Sequence, residues 1–148
     1  MGADHAGREL KETIARHLEG QDIAVLDLGT NSADAVDYPI YGVAVGRALQ
    51  NGEADFGILV CGSGQGMAMT ANKLSGIRAA VCGDTFSARA VREHNDANIL
   101  ALGARVVGQG LALDIVDVFL RTKFLEGRHT SRLALLTDIE NRERLQSR

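Results

Sequence analysis

Tryptophan is absent, and the aromatic residues amount to two tyrosines and four phenylalanines. A groove that binds single-stranded nucleic acid by stacking needs more aromatic surface than this. Proline occurs once and cysteine twice among 148 residues. Two cysteines do not make the disulfide framework of a small secreted domain, and alone they cannot complete a structural zinc site. Positive charge is not in excess: the formal net charge is −3. That argues against a diffuse basic face for nucleic acid, but not against a small phosphate site made by a few arginines. No apolar run reaches about 18 residues and no signal-peptide pattern is visible. Neither a membrane nor nucleic acid is therefore an expected partner. The expected compartment is the cytoplasm, where a working thiol stays reduced. No His/Asp/Glu constellation has zinc-site spacing, so neither a metal nor a cofactor is expected.

What is present is a globular composition, with 45% hydrophobic and 24% charged residues, and 17 glycines. The length suits a single domain, 1–148, with no repeat, linker or low-complexity tract. Leu10, Ile14, Ala15 and Leu18 mark one face of a helix over 8–19. Strands are expected at Ile23–Leu28, Asp55–Val60, Arg78–Cys82 and Asn98–Leu102. Between them, helices are expected from Pro39 to Leu49, Gly66 to Leu74, 85–94 (Ala88 and Val91 inward) and Gln109 to Arg121. The helix from Gln109 carries Leu111, Ile115, Val118 and Phe119, and a last helix spans 130–146. The strands read as continuous apolar runs, which implies a parallel sheet covered on both faces. Ligands of such sheets bind beyond the carboxyl ends of the strands. Asp4-His5, Cys61 and the residues after Leu102 fall there. A fold of this class opens with a strand, whereas this chain goes from Met1 through Gly7 straight into a helix. The first strand is expected to be missing or truncated.

The segment richest in chemistry is Cys61-Gly62-Ser63-Gly64-Gln65-Gly66, directly after the apolar run Phe56–Val60. Amides of a glycine-rich loop can converge on an anion, and a thiol beside them can serve as base or nucleophile. Few simple binding modules need both, so an enzyme is indicated. No Gly-Lys-Ser/Thr follows, so this is not a Walker loop. The glycines alternate at 62, 64 and 66, which is not the dinucleotide spacing either.

Together with Gly2–Gly7, Asp37-Tyr38-Pro39, Ala71-Asn72-Lys73, His94–Asn98, Gly103–Gly108 and Gly127-Arg128-His129, this loop makes the chain resemble the type B ribose-5-phosphate isomerases. That family also holds the galactose-6-phosphate isomerase subunits. The resemblance covers nearly the whole chain. It implies a Rossmann-like α/β/α sandwich around five parallel strands, the first of them central. It also implies a homodimer, with a dimer of dimers as a further option, and active sites at the subunit interface. Helix 130–146 would pack on the partner subunit.

The reaction implied is aldose–ketose isomerisation of a phosphorylated sugar through an enediolate. It needs a base on carbon, a stabiliser for the oxyanion, and an acid/base pair to open the ring. By resemblance, Cys61 is the carbon base. Part of the family uses a glutamate just after the glycine loop, but Met67 stands there, which puts this chain in the cysteine branch. Ser63 and the amides of Gly62, Gly64, Gln65 and Gly66 would cradle the enediolate. His94 matches the ring-opening acid, and Asn95 would hold a sugar oxygen or cap its helix. Asp4 and Tyr38 match residues on the sugar or the ring-opening machinery, and His5 one that reaches the phosphate end. Arg128, His129 and Arg132 form a basic cluster suited to a phosphate monoester, and Arg105 also matches a phosphate-side residue.

The remaining chemistry-bearing residues read as structural. His17 and the Arg89, Arg92, Glu93 group read as solvated helix faces, Cys82 as core, and Asn72 and Lys73 as packing and capping residues. The leading substrate pair is D-ribose 5-phosphate and D-ribulose 5-phosphate. Open alternatives are a tetrose 4-phosphate, allose 6-phosphate or galactose 6-phosphate. More remote ones are a noncatalytic sugar-phosphate or nucleotide-binding domain and a cysteine-dependent hydrolase.

Overall fold

The computed structural model describes residues 1–146. The chain runs β1 (Gly2–Ala3), α1 (Arg8–Glu19), α2 (Tyr38–Gln50), β2 (Gly57–Cys61), α3 (Gln65–Ala71), β3 (Ala79–Val81), α4 (Thr85–Asn95), β4 (Ile99–Gly103), α5 (Gln109–Arg121) and α6 (Arg128–Gln146). All strand pairs are parallel, in the order β1-β2-β4-β3.

The pleat sorts the two central strands between two cores, because successive side chains point to opposite faces. Ile58, Val60, Leu100 and Leu102 pack on one face, with residues of α1, α4 and α5. Leu59, Cys61, Ile99 and Ala101 pack on the other, with residues of α2 and α3. Both faces are buried, which is why these strands read as unbroken apolar runs. The three-layer α/β/α reading of the sequence holds.

Two expectations need correction. Among the described residues the sheet has four strands, not five, and Ile23–Leu28 is not a strand. Residues 26–30 nevertheless lie beside β1. The Met1 ammonium donates to the Leu26 carbonyl at 2.5 Å, Leu28 N–H to Met1 O at 2.8 Å, and Thr30 N–H to Ala3 O at 3.0 Å. A two-residue template is too short to organise a regular ladder along the whole apolar run, and Ile23 and Leu26 stay exposed. The opening strand is present as β1, short but paired: Gly2 faces Leu59 and Ala3 faces Val60.

The outer segment is fastened from within. Lys11 of α1 is completely buried and donates to Asp27 Oδ2 at 2.5 Å and to Thr30 O at 3.4 Å. Helix α3 stops at Ala71, before the expected Leu74. The Asn72 side chain there pairs with both main-chain groups of Ala79, at 2.8 Å each, and steers the chain into β3.

Three side chains read as structural have different surroundings from those expected. Arg92 is buried. Its guanidinium donates to Asp96 Oδ1 (2.7 Å) and Ala97 O (2.6 Å), and lies 4.8 Å from the Phe56 ring centre. His17 pairs with Asp117 at 2.8 Å, joining α1 to α5. Leu111, one of the apolar residues carried by its helix, is exposed, while Ile115 and Phe119 are buried. Periodicity alone does not say how wide a stripe the sheet covers.

Candidate active site

Cys61 is the last residue of β2, paired with Gly103 at the carboxyl end of the sheet. The chain turns sharply after it. Gly64 adopts φ +80° at the start of α3, a conformation that glycine takes without Cβ strain. This turn brings the Gly64 N–H to Cys61 Sγ at 3.1 Å. The neighbouring strand closes the loop from the other side: Ala104 N–H donates to Cys61 O (2.8 Å) and Arg105 N–H to Gly62 O (3.0 Å).

These elements surround a cavity of about 410 Å³ lined by Asp4, Tyr38, Cys61, Gly62, Ser63, Gly66, Arg105 and Val106. Asp4 comes from the end of β1. Its carboxylate accepts the Gly7 N–H at 3.0 Å, and it is buried. Gly7 must be glycine on packing grounds, because a Cβ there would lie 2.3 Å from Val60 O. Tyr38 enters from the first turn of α2 and lies against Gly66. His5 stands beside the cavity rather than lining it, with Nδ1 accepting the Val36 N–H at 3.2 Å. Gln65 is exposed at the start of α3, and its N–H meets Ser63 Oγ at 3.4 Å.

His94, Asn95, Arg128, His129 and Arg132 are somewhere else. Helix α4 returns antiparallel to the strands, so its carboxyl end lies where β4 begins. Asn98 and Ile99 there donate to Arg78 O, just before β3. Cys61 lies at the far end of the same strands. Five residues of β4 separate the two levels, about 13 Å at the usual strand rise. At the near end, the His94 and His129 rings stack with centres 4.5 Å apart and planes 11° from parallel. His129 has its pKa lowered, first by burial, then by the charges of His94, Arg128 and Arg132; Glu93 opposes them. The candidate residues thus fall into two groups at opposite ends of one sheet.

The other cysteine is unlike Cys61. Cys82 is buried, and its thiol is pushed up to about 11, first by burial and then by Asp84. A larger groove of about 1000 Å³ lies between α6 and residues 72–80, but no cysteine or histidine lines it. Among the described residues, no group of three or more His, Cys, Asp or Glu side chains is arranged to hold a metal ion. No helix among them is long and apolar enough to cross a membrane.

A sequence profile of the Ribose/Galactose Isomerase family matches residues 1–136. The chain belongs to that family. It is 48% identical over 142 residues to a protein named ribose-5-phosphate isomerase B from Escherichia coli, covering 96% of this chain and 95% of that one. The structure of a Clostridium thermocellum ribose-5-phosphate isomerase B superposes with a TM-score of 0.95 at 51% identity, covering 96% of each chain. A ribose-5-phosphate isomerase B from Mycoplasma genitalium, solved with bound ribulose-5-phosphate, gives 0.90 at 39% identity, over 95% of this chain and 93% of that one.

For this isomerase-family chain, reading the sequence missed one residue of the cavity. Val106 lines it and is exposed at its mouth. The only signal in the sequence was its place just beyond a strand end.

Proposed function

We propose that this chain interconverts D-ribose 5-phosphate and D-ribulose 5-phosphate without a metal ion, in a site completed by a second copy of itself. The observation that carries the reading is Cys61 at the floor of the cavity, its sulfur facing the Gly64 amide, with the Asp4 carboxylate on the same cavity wall. A lone pair on sulfur takes the C2 proton of the open-chain aldose. The loop amides and Ser63 stabilise the enediolate oxygens, and the proton returns at C1. Before that, the ring must open. Asp4 takes the proton of the C1 hydroxyl, and an acid protonates the ring oxygen as the bond breaks. Arg105, on the cavity wall, and Arg128 and Arg132 of the second copy answer the phosphate charge.

The ring-opening acid in this reading is His94 of the second copy. Acid and base serve atoms of one small sugar, so both must come within hydrogen-bond reach of it. The separation of Cys61 and His94 along the sheet supports a site to which two chains contribute. A twofold pair of chains can bring the far end of one sheet to the carboxyl end of the other. Exposed Leu135, Leu136, Ile139 and Leu145 on α6 support a role for that helix in such an interface.

The test is incubation with D-ribose 5-phosphate in deuterated water with EDTA, followed by proton NMR. Formation of D-ribulose 5-phosphate with solvent deuterium incorporated supports the enediol route. A folded dimer that leaves the pentose untouched refutes the five-carbon assignment. Loss of turnover on adding EDTA refutes metal independence.

A further inference from the structure

We propose that His129 is a positioning residue: its ring is the platform that fixes the plane of His94 for ring opening. This rests on the isomerase reading above, in which His94 is the acid. The torsion that sets the plane of a histidine ring is broad and has little intrinsic preference. An acid that must meet one ring oxygen therefore needs something else to hold its plane. The parallel stack on His129, 4.5 Å away, does this.

The platform is itself held. His129 is 6% exposed. Its N–H donates to Glu126 O at 3.1 Å, and just upstream the Leu125 N–H donates to Glu93 O at 3.1 Å. That second bond ties the start of α6 to the residue beside His94. Glu126 and Gly127, at φ +56° and +57°, turn the chain sharply between these two anchors. The groups that act electrostatically on His129 are Glu93 from α4 and Arg128 and Arg132 from α6, besides His94 itself. Burial and the charges around it lower the His129 pKa, which favours a neutral platform ring, one that does not repel a charged partner lying against it. With one face covered by His94 and little of the residue exposed, His129 is poorly disposed to act as a third phosphate ligand beside the two arginines.

The two roles separate by substrate. D-Ribulose 5-phosphate has its C5 oxygen esterified and cannot close a furanose ring, so its C1 proton exchanges through the enediol step alone. D-Ribose 5-phosphate must first be opened. The measurement is the ratio of aldose turnover to solvent deuterium exchange at C1 of the ketose, in the full-length protein. In His129→Ala this ratio falls about tenfold or more, because the general acid is misdirected. His129→Phe keeps a flat face without ring nitrogens and restores the ratio to within about threefold of wild type. A phosphate ligand would instead raise KM for both substrates and leave the ratio unchanged. That result, or failure of the phenylalanine to restore the ratio, overturns the proposal. If the alanine protein does not fold, His129→Leu fills the volume without a flat face and gives the same readout. Absence of turnover and exchange in the wild-type chain overturns the isomerase reading itself, and this inference with it.

Discussion

Two inactive variants should restore activity when mixed. On the proposed roles, Cys61→Ala removes the base and His94→Asn removes the acid, so a dimer of either variant alone should have two dead sites. If Cys61 of one chain works with His94 of the other, random reassortment makes half of the dimers mixed. Each mixed dimer then has one site with both groups intact and one with neither. Half of the dimers with half of their sites intact amounts to about one quarter of wild-type activity. The geometry behind this is specific. Cys61 pairs with Gly103 at one end of β4, whereas α4 delivers His94 to the end that begins at Ile99. The assay is turnover of D-ribose 5-phosphate after the variants have been mixed, briefly unfolded and refolded, with differently tagged chains to count mixed dimers. If mixed dimers form and activity stays below about 1%, the two groups act within one chain. The interpretation of the sheet as a divider between them is then wrong.

Other expectations follow from individual contacts. In Gly66→Ala the new Cβ would lie 2.7 Å from Cε2 and Cζ of Tyr38, which is half exposed. The fold should survive and turnover fall by about 10²-fold; unchanged turnover would mean that the Tyr38 ring does not order the substrate. Asp27→Asn leaves the wholly buried Lys11 ammonium without its counter-ion and should cost about 3 kcal/mol in urea melts. Adding Lys11→Met should recover most of that loss, and a further loss would show that the pair is not what makes Asp27 matter. At about pH 8, iodoacetamide should modify Cys61 first and leave Cys82 intact in the folded protein, because burial holds the Cys82 thiol at about 11. Mass spectrometry finding Cys82 labelled as fast as Cys61 would contradict this.

The layered fold was legible because both faces of its central strands are covered. Ile58-Leu59-Val60 and Leu100-Ala101-Leu102 are continuous apolar triplets, and alternate members enter different cores. The edge was not legible in the same way. Ile23–Leu28 has the composition of a strand, but a strand also needs a partner of matching length, and β1 offers two residues. What composition cannot express is the length of the neighbour. Arg92 failed for the opposite reason: an arginine on a helix is normally solvated. Here it lies against Phe56, a residue distant in sequence, and ends on the Ala97 carbonyl just past the end of its own helix.

The candidate site was legible as a set of residues but not as an arrangement. Cys61, Ser63 and the glycines are contiguous, so their shared cavity with Asp4, Tyr38 and Arg105 needed only the rule that strand ends carry the chemistry. His94 and Arg128 obey a different rule. A helix that follows a strand runs back, so a residue at its end arrives at the opposite edge of the sheet. Applied to α4, that rule puts His94 beside the start of β4. The consequence is chemical as well as geometric. If Cys61 is the base and His94 the acid, a chain that divides them across the length of its own sheet gains a complete site only by association. Catalysis should then fall with dilution at the dimer dissociation constant, even while the fold of each chain persists.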